Sequence, residues 1–97
     1  MSKLICQAIE CKRVVTFWYG GGAREAEPFC HGVTTAGNEA VRAYQTAGYS
    51  QSGRRIGWKL FLVGEMQRLS LTDKSFSGSR PGYDPYDADM SVIHCRL

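Results

Sequence analysis

The stretch FWYGGGAREAEPFCHG, residues 17–32, joins two extended segments through three consecutive glycines. The run leading into it, RVVTFWY (13–19), is dense in β-branched and aromatic residues and predicts a strand. Gly20, Gly21 and Gly22 supply the positive φ values of a tight hairpin, so the chain beyond them reads as a second, antiparallel strand. In that strand Arg24, Ala26, Pro28 and Cys30 alternate with Glu25, Glu27, Phe29 and His31 across the two faces. Pro28 has no N–H for a ladder, which places it on an edge or at a bend of the kind that curls a sheet into a small barrel.

Upstream, Leu4, Ile5, Ala8 and Ile9 recur at helical spacing behind Ser2, predicting a short amphipathic helix with a serine N-cap. Downstream, a turn around residues 34–38 precedes a third strand, EAVRAYQ (39–45), with Val41 and Ala43 on one face and Arg42 and Tyr44 on the other. Residues 46–57, TAGYSQSGRRIG, read as a long flexible connection. WKLFLV (58–63) and MQRLSLT (66–72) give strands four and five around a turn at Gly64 and Glu65. Beyond Thr72 the prolines, glycines and aspartates of SFSGSRPGYDPYDADM predict an irregular arm before the short apolar SVIHCRL. With no crossover helix between strands, the expectation is mainly β: a five-stranded antiparallel barrel with an N-terminal helix over residues 1–76, and a C-terminal arm, 77–97, packed on the barrel or on a partner.

Ninety-seven residues, 43% of them hydrophobic and 22% charged, suit one folded domain. No apolar stretch approaches the roughly 20 residues of a membrane-spanning helix. Gln7 and Glu10 interrupt the N-terminal apolar run, so no signal peptide is read and a bacterial-type cytoplasm is expected. Reduced thiols are accordingly expected at Cys6, Cys11, Cys30 and Cys95. Cys6 and Cys11 lie about 140° apart around a helix and no C-x-x-C pair occurs, so the spacing predicts no metal site.

The net charge of +3 is unevenly distributed. Between residues 42 and 68, Arg42, Arg54, Arg55, Lys59 and Arg68 face the single acid Glu65, alongside Tyr44, Tyr49 and Trp58. Cations that neutralise phosphate beside rings that stack on bases are the elements of an anion or nucleic-acid site, although a solvated basic face has the same composition. Arg24 admits two readings. Neighbouring glutamates can orient its guanidinium for bidentate anion recognition, or a carboxylate can occupy it in a structural ion pair. Catalytic constellations are not found: His31 and His94 are the only histidines, and Glu25 and Glu27 sit about 7 Å apart on one strand face, as on any solvated sheet. No enzymatic activity and no cofactor are expected.

A helix ending in a basic pair, a strand closing on Trp18 and Tyr19, a glycine turn, R-E-A-E-P-F, a G-N-E-A-V-R-A-Y strand, then G-W-K-L-F and T-D-K-S-F together resemble the WYL domain over about residues 2–76. Arg24, Ala26 and Pro28 match the R-x-V-x-P element of that family, Ala43 and Tyr44 its hydrophobic-Ala-aromatic continuation, and Lys59 and Phe61 a basic and an aromatic position of its R-x-F-R-x-D-R-I segment. Glu39, Ala40 and Val41 stand where the family carries Trp-Tyr-Leu, and Leu62 and Glu65 where it carries arginines. The resemblance implies an Sm-like barrel and a non-enzymatic sensing module, of the kind found in bacterial transcription regulators and phage-defence proteins. Its expected ligand is an anion, a nucleotide or single-stranded nucleic acid. Ligand contacts are expected at Arg24, Arg42, Tyr44, Arg54, Arg55, Trp58 and Lys59, with Arg42, Arg54 or Arg55 replacing the missing charge. A homodimer and a separate DNA-binding partner are compatible with this reading, because no helix-turn-helix is present. The alternative is an interaction or oligomerisation module that takes no small ligand and uses its sheet edges and arm.

Overall fold

The hairpin at the glycines forms as the composition dictates, with β1 (Arg13–Tyr19) paired antiparallel to β2 (Gly22–Thr34) and Gly20 and Gly21 at φ 58° and 93°. A computed structural model describes residues 2–97. Helix α1 (Ser2–Cys11) buries Ile5, Ala8 and Ile9, as its apolar spacing requires. It ends at Lys12, whose φ of 54° and N–H bond to the Ile9 carbonyl occupy the left-handed position that closes many helices. A lysine there costs about 1 kcal/mol relative to glycine. Lys12→Gly is therefore expected to raise the midpoint of urea unfolding, and an unchanged or lower midpoint would refute the strain.

β3 (Glu39–Gly48), β4 (Gly57–Leu62), β5 (Gln67–Ser75) and β6 (Met90–Arg96) complete one antiparallel sheet. Its order is β4-β3-β2-β1-β5, with β6 added to β2. β3 pairs along one edge of β2 from Arg24 to Val33. On the other edge β1 covers Gly22–Ala26 and β6 covers Cys30–Thr34. Pro28, which has no N–H to donate, stands in the gap between those two partners, beside a register shift in the pairing with β3. That shift ends the simple alternation of faces in β2, and Ala26 through Gly32 are all buried.

Two expectations are corrected. The sheet has six strands, because the apolar 90–96 segment becomes a strand on β2 in place of an irregular tail. The sheet is also open between β4 and β5. A single 3-10 turn, Val63–Glu65, carries the chain from β4 towards β5, and Val63 and Met66 are buried in the core that the curled sheet encloses. Across that core the Phe61 ring meets Phe17 at 4.8 Å and Tyr19 at 5.0 Å, and the Leu62 N–H donates to the Tyr19 hydroxyl at 3.0 Å. β1 and β4 therefore face each other through side chains, without a backbone ladder.

The opposite face is covered by the arm. Val14, Phe29 and Phe76 form a second core with Tyr44, Trp58 and Tyr83. The Trp58 indole N–H donates to the Pro81 carbonyl at 2.9 Å, and the Tyr83 hydroxyl donates to the Leu97 carbonyl at 2.9 Å. Residues 77–97 are thus an integral layer of the fold. No described helix is long and apolar enough to cross a membrane.

The cysteines depart furthest from expectation. Cys6 on α1 and Cys95 on β6 are joined in a disulfide, while Cys11 is exposed and Cys30 buried as free thiols. Burial, then the nearby Asp87 carboxylate, pushes the Cys30 thiol up to about 11, so it is an unreactive core group.

Candidate anion-binding site

Arg24 leaves β2 beside the start of the 49–56 loop and is only 5% exposed. Its Nε and Nη2 both donate to the Tyr19 carbonyl, at 3.2 and 3.0 Å, and its Nη1 donates to Gln45 Oε1 at 3.2 Å. Gln45 is itself fully buried and is held by donating to the Tyr49 carbonyl at 2.9 Å. The guanidinium lies 5.5 Å from the Tyr19 and Tyr49 ring centres and 5.6 Å from that of Phe61. Among the described residues no carboxylate bonds to it. The glutamates beside it in sequence serve elsewhere: Glu25 accepts from Lys74 at 3.1 Å and from the Thr46 hydroxyl at 3.1 Å. Buried Glu27 takes a two-pronged contact from Arg80 of the arm, at 2.8 and 3.0 Å. Of the two readings of Arg24, the structural ion pair is excluded.

Lys59 on β4 adds a second cation to the same pocket. Its ammonium donates to the hydroxyls of Ser50 and Ser52, at 3.0 and 3.4 Å, and to the Arg54 carbonyl. All three acceptors are uncharged, so the loop is gathered around the lysine without neutralising it. Burial, then the charges of Arg24 and Arg54, lowers the Lys59 pKa from its ordinary value. Burial likewise lowers that of Arg24. Arg24, Lys59, Ser50, Gln51 and Ser52 line a pocket of about 180 Å³. A guanidinium has five N–H donors, and the bonds to Tyr19 and Gln45 use three of them.

No known family model, curated protein or solved structure matches this chain. The site is therefore read from its geometry.

The seven residues singled out in the sequence divide into two groups. Arg24 and Lys59 line the cationic pocket, while Arg54, whose carbonyl accepts from Lys59, and Arg55 lie exposed in the adjoining loop. Arg42, Tyr44 and Trp58 lie under the arm instead. Arg42 is bonded to Asp87 at 2.7 Å and to Asp89 at 2.5 Å. Arg80 sits 4.1 Å above the Tyr44 ring, and Tyr83 stacks on Trp58 at 6.1 Å. These three take partners from the arm and are half-buried, away from the pocket of Arg24 and Lys59. Tyr49, 45% exposed and over Arg24, is the ring that accompanies the pocket. In the sequence it stands with Tyr44 and Trp58 among the basic residues, and two bonds place it here, its N–H to the Ala23 carbonyl at 2.9 Å and the Gln45 amide to its carbonyl at 2.9 Å.

Proposed function

We propose that the chain is a binding module for an anionic ligand, a nucleotide or a short single-stranded nucleic acid, held at Arg24, Lys59 and Arg54. One observation carries this reading: two cations, Arg24 and Lys59, meet in a small, partly buried pocket where, among the described residues, they bond to neutral oxygens alone. Uncompensated buried charge is costly, and a phosphate or carboxylate entering the pocket offsets that cost. The exposed ring of Tyr49 offers a stacking platform beside it. The resemblance to the WYL domain supports the same function and, with it, a kinship of the curled sheet to an Sm-like barrel in a regulatory bacterial protein.

Binding of a labelled oligothymidylate, titrated from low to high salt, tests the proposal. Arg24→Gln and Lys59→Gln are each expected to weaken binding about 10- to 100-fold. Arg54→Ala with Arg55→Ala is expected to flatten the log-log salt slope by about 0.7 for each phosphate interaction removed. Arg68→Gln, on the far side of β1, is expected to change neither. Absence of binding by the unmodified protein at low salt, where charge attraction is least screened, would overturn the proposal and favour the interaction module.

A further inference from the structure

His31 lies seven residues along β2 from Arg24, on the order of 20 Å away in an extended strand. It is 2% exposed. Its Nε2 faces a Glu39 carboxylate oxygen at 2.5 Å, and the Ser2 hydroxyl donates to that same oxygen at 2.5 Å. The carboxylate takes the Nε2 side of the ring, and the other nitrogen, Nδ1, faces two sulfurs, Cys6 Sγ at 3.5 Å and Cys95 Sγ at 3.7 Å. A neutral imidazole with its proton on Nε2 presents a lone pair to those sulfurs, the arrangement of a metal-ligating histidine.

The three ligand atoms lie within 4.8 Å of one another. Tetrahedral zinc with Zn–S of about 2.3 Å and Zn–N of about 2.0–2.1 Å sets sulfur and nitrogen about 3.5 Å apart. Both sulfur–nitrogen distances already stand close to this value, and only the two sulfurs must separate, to about 3.8 Å. The Glu39–His31 contact is the carboxylate–histidine pair that orients zinc-bound imidazoles. A surface pocket of about 450 Å³, lined in part by Cys6, His31, Glu39 and His94, opens onto the cluster and gives an ion a path and a fourth coordination position. The spacing of Cys6 and Cys11 argued against a metal because it considered neighbours in sequence. Cys6, His31 and Cys95 instead come together from α1, β2 and β6.

We propose that, with the disulfide reduced, Cys6, His31 and Cys95 form a zinc site. A dithiol reductant breaks the Cys6–Cys95 bond, its own two sulfurs joining as the protein gains two thiols. Binding Zn²⁺ to both sulfurs then releases two protons, and His31 Nδ1 supplies the third ligand. Oxidation of the thiolates by a disulfide oxidant reverses the sequence and expels the ion.

The test uses the full chain, reduced and stripped with a chelator, and titrated with Co²⁺ as a spectroscopic stand-in for zinc. One equivalent is expected to produce a sulfur-to-cobalt charge-transfer band that Zn²⁺ abolishes. The band is expected to disappear in Cys6→Ser and Cys95→Ser and to persist in Cys11→Ser. Glu39→Gln is expected to weaken affinity about 10- to 100-fold while retaining the band. A reduced protein that gives no band overturns the proposal whether or not it is folded beforehand, since zinc at such a site drives folding. An equal band in the Cys6→Ser, Cys95→Ser double variant would do the same, by assigning the metal to Cys11 and Cys30.

Discussion

Replacing Cys95 with serine is expected to lower the stability of the oxidised protein by roughly 4–5 kcal/mol, the largest effect of any single side chain considered. The bridge spans a sequence separation of 89 residues and ties α1 to β6, so it closes nearly the whole chain into one loop. Chain-entropy arguments make the gain grow with the logarithm of loop length, and a loop of this size stands near the upper end. For a domain whose total stability is on the order of 5–15 kcal/mol, the loss is a large fraction. Urea unfolding with and without reductant checks it. The unmodified protein should lose stability on reduction and approach the Cys95→Ser variant, which should be insensitive to reductant. Coincident unfolding curves for the oxidised and reduced unmodified protein would show that the bridge contributes nothing.

Arg42→Met is expected to cost about 3–5 kcal/mol at neutral pH. Arg42 holds the Asp87 carboxylate with two bonds, Nε at 2.7 Å and Nη2 at 3.2 Å, and the Asp87 side chain is only 8% exposed. Methionine keeps much of the side-chain volume, so the destabilisation comes mainly from a buried carboxylate left without its cation. The ion pair also fastens the arm to β3, and its removal should loosen the 80–89 segment over Trp58. The pH dependence has a definite sign. The Arg42 hydrogen bonds hold the Asp87 carboxyl below the ordinary carboxylate range, against the opposing effect of burial. The pair therefore contributes fully above the ordinary aspartate value of about 3.9 and loses its contribution as pH falls through the lower folded value. In the variant, burial without the cation pushes Asp87 upward, so protonation in acid relieves the defect. The gap between the two proteins should narrow from neutral pH towards pH 3. A gap that stays constant over that range, or that is below about 1 kcal/mol at neutral pH, would show the pair to be a minor contact.

The residues that both carry and hide the candidate site show where local reading stops. Arg24 and Lys59 were recognisable as cations on strands, and the alternation of Val41 and Ala43 against Arg42 and Tyr44 is the one the structure has. Period-two patterning sets which face a side chain takes, and it acts within a strand. It cannot tell what covers that face. Trp58 accepts its cover from Pro81 and Tyr83, more than twenty residues on, and Arg42 finds its acids at Asp87 and Asp89. The aromatic and basic side chains grouped by composition were thereby split between two surfaces, and Tyr49 replaced Tyr44 as the exposed ring.

From its sequence alone the chain is committed to an N-terminal helix and a glycine hairpin, and to strands over residues 39–45, 58–63 and 66–72, the last two of which the structure ends at Leu62 and begins at Gln67. In each case the determinants, apolar period, β-branched density and positive-φ glycines, operate over a few neighbouring residues. Tertiary structure alone decided that β2 has β1 and β6 in succession along one edge, with Pro28 in the gap, and that the sheet remains open between β4 and β5. It also decided that Cys6 meets Cys95 over His31, and that Arg24 turns away from its neighbouring glutamates to a pocket without acids. These outcomes depend on contacts between segments far apart in the chain, whose free energy comes from burial and charge pairing that no short window of sequence contains.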